Sequence, residues 1–135
     1  MILLLLQACN NTRTQDTSKA TLKADENTSE IIGKSATLEF SKFKVIETFV
    51  SDSTLHWKHI DNDGTVTEAD EHVSYKKLND NQFFINWIEK TGLTVSQILD
   101  TKAGIATAYV SRADEKSQRG KRAATFFEGS FKLNK

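Results

Sequence analysis

Two stretches of the chain carry chemically useful side chains at every second position. In Gln82–Glu89 the residues Phe83, Ile85, Trp87 and Glu89 alternate with Phe84, Asn86 and Ile88, and in Thr54–Ile60 the same spacing joins Leu55, Trp57 and His59. Successive side chains of a β-strand point to opposite faces, so each set shares one face if these stretches are strands. Turned inward, Trp57, His59, Phe83, Trp87 and Glu89 would line one aromatic interior that holds a carboxylate and an imidazole. Tyr109 is expected in the same wall with its hydroxyl at the rim. Such an interior suits a small ligand with an aromatic body and a donor group. Glu89 is the group placed to act as general acid or base if the site is catalytic. Desolvation would raise its pKa, and pairing with His59 would lower it. Plainer roles are open to the same residues: Glu89 as a carboxylate paired at the barrel mouth, and Trp57 and Trp87 as fillers of a small core.

No metal centre is expected. His56 and His59 lie three apart on one strand and therefore face opposite ways, and neither His72 nor a free cysteine completes a zinc set. Asp61-Asn62-Asp63-Gly64 and Asp100 are similar to fragments of a calcium loop, yet the spaced ligand pattern with its terminal glutamate is missing. Neither a glycine-rich phosphate cradle nor a Gly-x-Ser-x-Gly elbow occurs. No cofactor is expected.

The elements that would position these residues are short and β-rich. From Ala36 onward the alternation predicts eight strands, near Phe40–Val50, Thr54–Ile60, Thr65–Ala69, His72–Leu78, Gln82–Glu89, Thr94–Asp100, Ile105–Ser111 and Ala123–Leu133. Between them, Asp61-Asn62-Asp63-Gly64, Asn79-Asp80-Asn81, Lys90-Thr91-Gly92 and Lys102-Ala103-Gly104 supply residues that tolerate left-handed backbone. Hairpins in series imply an antiparallel meander, and closing it into an eight-stranded up-and-down barrel removes the exposed edges. A barrel of that size either fills with side chains or holds one small ligand. The loop Ser111–Arg122 carries seven charges and is expected to be mobile and solvated.

Charge narrows the partners. The 135 residues hold 18 Lys+Arg against 18 Asp+Glu, a formal charge of zero, and the one dense basic stretch, Lys116–Arg122, is interrupted by Ser117, Gln118 and Gly120. Nucleic-acid binding by counterion release needs a clustered basic surface, so no nucleic acid is expected as a partner. Apolar residues make up 38% of the chain, low enough to suggest dilution by an uncored segment. That segment is 10–35, rich in Thr, Asn, Asp, Lys and Ser, and it reads as a disordered N-terminal tether. The folded domain is placed at 36–135.

Ahead of the tether, Met1-Ile2-Leu3-Leu4-Leu5-Leu6-Gln7-Ala8-Cys9 is an apolar run that ends in a small residue and the chain's single cysteine. This resembles a bacterial lipoprotein signal, with Leu6, Gln7, Ala8 and Cys9 in the places of the processing motif. The resemblance implies lipidation of Cys9, with 1–9 a signal remnant whose true start lies upstream. Asn10 rather than aspartate follows, which by the same resemblance favours the outer membrane, facing the periplasm. A lipidated single cysteine leaves no disulfide, so stability must come from the apolar core.

One further pattern is specific. Trp87-Ile88-Glu89-Lys90-Thr91-Gly92-Leu93-Thr94-Val95-Ser96-Gln97, following Lys77-Leu78 and the strand Gln82–Asn86, resembles the MoaF-like group of small calycin, or lipocalin-like, barrels and more distantly the phenolic acid decarboxylases. In both, a strand ending in Trp-x-Glu leads through a Thr-Gly turn into the next strand. By position, Glu89 matches the decarboxylase glutamate inside the barrel. The tyrosine pair and arginine of that chemistry are not matched: Val45–His59 contains no tyrosine, and Val66 stands where the arginine would fall. Decarboxylation needs several convergent polar groups, so the resemblance implies a binding module rather than that enzyme. The expected function is a lipid-anchored envelope protein whose barrel binds a small apolar or aromatic molecule. The alternatives are an enzyme using Glu89 on a small aromatic acid, and a filled barrel serving as a structural or interaction protein.

Overall fold

The structure is a computed structural model that describes residues 30–135. The lipoprotein-like segment 1–9 with Cys9, and tether residues 10–29, lie outside the described residues. The described chain is all-β. Nine antiparallel strands run in order: β1 (Ser35–Glu39), β2 (Phe43–Phe49), β3 (Thr54–Asp61), β4 (Val66–His72), β5 (Ser74–Lys77), β6 (Gln82–Ile88), β7 (Thr94–Asp100), β8 (Ile105–Ala113) and β9 (Arg122–Leu133). They form one sheet in the order β4-β3-β2-β1-β9-β8-β7-β6-β5, so the first strand pairs with the last and the sheet curls round on itself.

The strand count differs from the expected eight. The stretch read as one strand from Phe40 to Val50 begins with a tight turn, in which the Phe40 amide donates to the Phe43 carbonyl at 2.9 Å, with Ser41 and Lys42 at the tip. Residues Ser35–Glu39 then form a strand of their own, paired with β2 and β9. The turn carries no Gly, Asn or Asp, and its lone Ser41 marks a turn only weakly. Ahead of β1 the chain is already packed: Ile31 is fully buried in the core.

Closure is nearly complete. Strand β4 passes directly into β5 through the buried Val73 and lies against β6 without a backbone ladder joining them. The charged loop is shorter than expected, because the β8–β9 ladder runs out to Ala113↔Arg122. Hydrogen bonds hold the residues that remain, among them Asp114 N to Lys121 O at 2.7 Å and Lys121 Nζ to Glu115 O at 2.9 Å.

The interior is divided along the barrel axis. At the base, Ile31, Phe49, Leu55, Phe83, Leu99 and Ala106 are almost wholly buried, and the ladders set them side by side: Phe49 opposite Leu55, Phe83 opposite Leu99, Leu99 opposite Ala106. Strand β9 admits β1 at Gly129, where any Cβ would run into the Glu39 carbonyl oxygen and the Phe40 ring. Small side chains at such crossings let two backbones approach closely. Toward the other end, where the β1–β2, β3–β4, β6–β7 and β8–β9 turns gather, the side chains leave space.

Candidate functional site

The space at the open end is a cavity of about 420 Å³. Its walls follow from strand parity. On β2, Val45 and Glu47 continue the inward row that ends in Phe49 at the base, and the β2–β3 register places Glu47 opposite Trp57 and Val45 opposite His59. On β6 the row Phe83, Ile85, Trp87 climbs from the packed base to the cavity, and Glu89 follows it into the β6–β7 turn. Gly92 has φ +83°, which lets that turn close with the Gly92 amide on the Glu89 carbonyl at 2.8 Å. Arg122 braces the turn from β9: its Nη2 donates to the Gly92 carbonyl at 3.0 Å and to the Ser111 hydroxyl at 2.9 Å. A residue expected in a mobile loop thus holds the segment that carries Glu89.

Polar groups enter the cavity at two levels. At its floor lie Glu47 and Gln97, 2% and 3% exposed, with Gln97 Nε2 donating to Glu47 Oε2 at 2.8 Å. Burial pushes the Glu47 carboxyl up to about 7, and the bond from Gln97 only partly opposes it. Nearer the mouth stand Trp87 and Glu89. Burial also raises the Glu89 pKa; the nearby Trp87 indole opposes the rise and the Glu71 carboxylate adds to it. Trp87 Nε1 nevertheless has no partner in hydrogen-bonding geometry. Trp57 Nε1 donates to Glu71 on β4 at 3.2 Å, across the β3–β4 ladder.

The mouth itself is aromatic. Phe43 stacks on His59 with ring centroids 4.7 Å apart and meets Phe40 and Phe127 at 4.8 and 5.4 Å. All four rings line the cavity. His59 Nδ1 lies 3.7 Å from Asp61 Oδ1, so its near neighbour is an aspartate of its own strand and not Glu89.

Of the residues singled out from sequence, Trp57, His59, Trp87 and Glu89 come together in this cavity, and Phe83 and Tyr109 do not. Phe83 has the expected inward parity but sits at the packed base, fully buried, its ring centroid 6.1 Å from that of Tyr75. Parity chooses a face and says nothing of depth. Tyr109 is 52% exposed on the outer face of β8, because Ala108 and Val110 on either side of it take the inward positions. Both faces of that strand are similarly apolar, so alternation could not orient it. His56 faces outward, its Nδ1 2.8 Å from Asp70 Oδ1.

Sequence reasoning missed the Glu47–Gln97 pair. The signal was present: each is a polar residue at an inward position of an apolar row, Val45-x-Glu47-x-Phe49 and Val95-x-Gln97-x-Leu99. Buried polar residues are rare enough that such positions point to an internal hydrogen bond.

The family model described as MoaF-like matches residues 32–125. No curated protein matches the chain. Among solved structures, a crystal structure of a candidate beta-lactamase from Burkholderia vietnamiensis superposes with a TM-score of 0.64 at 14% identity, covering 77% of this chain and 95% of that one. Likeness at that identity concerns the fold alone.

Proposed function

We propose, on the premise that the chain belongs to the MoaF-like family, that it is a lipid-anchored envelope protein whose barrel binds a small apolar or aromatic molecule. The cavity of about 420 Å³ carries this reading. A barrel built only as a structural element would fill both ends with side chains, as this one fills its base. Here the open end keeps a concave, mainly apolar space with a few converging polar groups, the usual form of a small-molecule site. An enzyme acting on an aromatic acid finds less support, since neither Lys nor Arg lines the cavity to receive a carboxylate.

Both tryptophans of the chain, Trp57 and Trp87, line this cavity, so tryptophan emission reports on the site. Titrating the full chain with aminoanthracene, a neutral planar fluorophore, should quench that emission to saturation at about one molecule per chain. Quenching that stays linear without saturating would count against a binding site.

The anchor rests on Cys9 and the apolar run before it. An acyl group adds roughly 0.8 kcal/mol of membrane affinity per buried methylene, and stable anchoring takes more than one chain, as lipoprotein acylation provides. In a bacterial host, Cys9→Ser should move the protein from the membrane fraction to the soluble periplasmic fraction. Unchanged membrane association of that variant would contradict lipidation at Cys9.

A further inference from the structure

Three polar side chains in the cavity wall are each more than nine-tenths buried: Glu47, Gln97 and Trp87. Glu47 and Gln97 satisfy one another. Trp87 does not, and its Nε1 is the one buried side-chain nitrogen or oxygen among the described residues without a hydrogen-bond partner. An indole N–H can only donate, and a buried donor left unpaired carries its full desolvation cost. Folded proteins rarely keep such a group without a use for it. The Glu89 carboxyl lies close enough for the indole to act on its pKa yet outside full hydrogen-bonding geometry, so an incoming acceptor competes only with that weak contact.

The charge around this donor limits what can bring the acceptor. The ionisable side chains lining the cavity are Glu47, His59 and Glu89, with Glu71 just behind Trp57. A carboxylate ligand would place a further negative charge in an apolar space already edged by acids and without a lysine or arginine to meet it. A neutral oxygen meets the indole without that penalty. Aromatic faces of Trp57, Phe43 and Phe127 remain for a planar body.

Resting on the binding function above, we infer that the cavity selects an uncharged aromatic molecule bearing a carbonyl-type oxygen, which accepts a hydrogen bond from Trp87 Nε1. The oxygen sits between the floor and the mouth, and the ring system stacks among the aromatic side chains. A ligand of the same shape without the oxygen leaves Trp87 unpaired, and such a mismatch separates otherwise similar ligands by a large factor.

The test holds the skeleton constant and changes the group. Naphthalene, acetylnaphthalene, naphthoate and naphthylmethylammonium each compete with aminoanthracene for the full chain. Acetylnaphthalene should bind about tenfold more tightly than naphthalene, the factor expected when a buried donor gains its partner. Naphthoate should bind at least about tenfold more weakly than the ketone. Trp87→Phe should lower ketone affinity to the level of naphthalene and leave naphthalene unchanged. Should that variant fail to fold, the indole N–H resonance of Trp87 in the parent protein serves instead: the ketone should shift it downfield and naphthalene should not. Equal affinity for ketone and naphthalene, a resonance that the ketone leaves in place, or tightest binding of the acid or the ammonium would overturn the selectivity while the binding function stands. If aminoanthracene itself does not bind, the binding function fails and takes this inference with it.

Discussion

A chain carrying Glu47→Gln is expected to be more stable than the parent by about 3 kcal/mol at pH 8 and to match it at pH 4. The Glu47 carboxyl is completely buried and its pKa in the folded protein is raised from an ordinary 4.5 to about 7. Below 4.5 the folded and unfolded chains both hold the proton, and the group costs nothing. Between 4.5 and about 7 the unfolded chain has released it while the folded chain still keeps it. Proton binding then favours folding less and less, and stability falls as pH rises through this window. Above about 7 the folded chain carries a buried carboxylate and the loss levels off. Glutamine cannot ionise, and its side-chain carbonyl can still accept from Gln97 Nε2, so the variant keeps the bond and sheds the charge. Chemical denaturation of both proteins at a series of pH values measures the difference, in which the other titrating groups cancel. A difference that stays constant from pH 4 to pH 8 would show that the Glu47 carboxyl ionises in the fold as readily as in water. The same result bears on the cavity, since a floor that is part protonated near neutrality can donate as well as accept.

The second large effect is expected from Phe83→Ala. Phe83 is fully buried among the base residues, and deleting a buried aromatic ring costs about 3–5 kcal/mol through lost transfer energy and the void left behind. Domains of this size have a net stability of roughly 5–15 kcal/mol, so the variant should still fold but unfold at far lower denaturant concentration. Its affinity for aminoanthracene should be unchanged while it remains folded, because the ring is not part of the cavity wall. The paired outcome separates the two halves of the barrel. A loss under about 1 kcal/mol would mean that the base is loosely packed, and weakened binding at undiminished stability would place Phe83 in the site after all.

Much of the architecture was legible because β-structure writes itself into sequence with a period of two. Alternation and turn residues place eight of the nine strands within about three residues of their observed ends, and only β1 is missed. Trp57, His59, Trp87 and Glu89 were assigned to one interior by the same parity. Where the pattern has no local mark, the reading failed. The Ser41-Lys42 turn carries only a weak hairpin signal, so the reading starts its first strand at Phe40 and leaves Ser35–Glu39, between that strand and the tether, without an element. Tyr109 sat on a strand whose two faces are about equally apolar, and its outward direction came only from the neighbours on β7 and β9.

What the amino-acid sequence by itself determined is which residues alternate, where most chains of turns must fall, and therefore that an antiparallel, barrel-like wall forms with tryptophans and a glutamate on its inner side. These are local properties, set by the pleat and by the backbone preferences of single residues. Tertiary structure alone decided depth. It put Phe83 in the packed base and Trp87 in the open end, though both belong to one row of one strand. It also brought Glu47 and Gln97 together across the barrel from positions 50 residues apart. Depth and cross-barrel pairing depend on how far each strand is staggered against its neighbours and on which distant side chains claim the space, and no window along the chain contains that information.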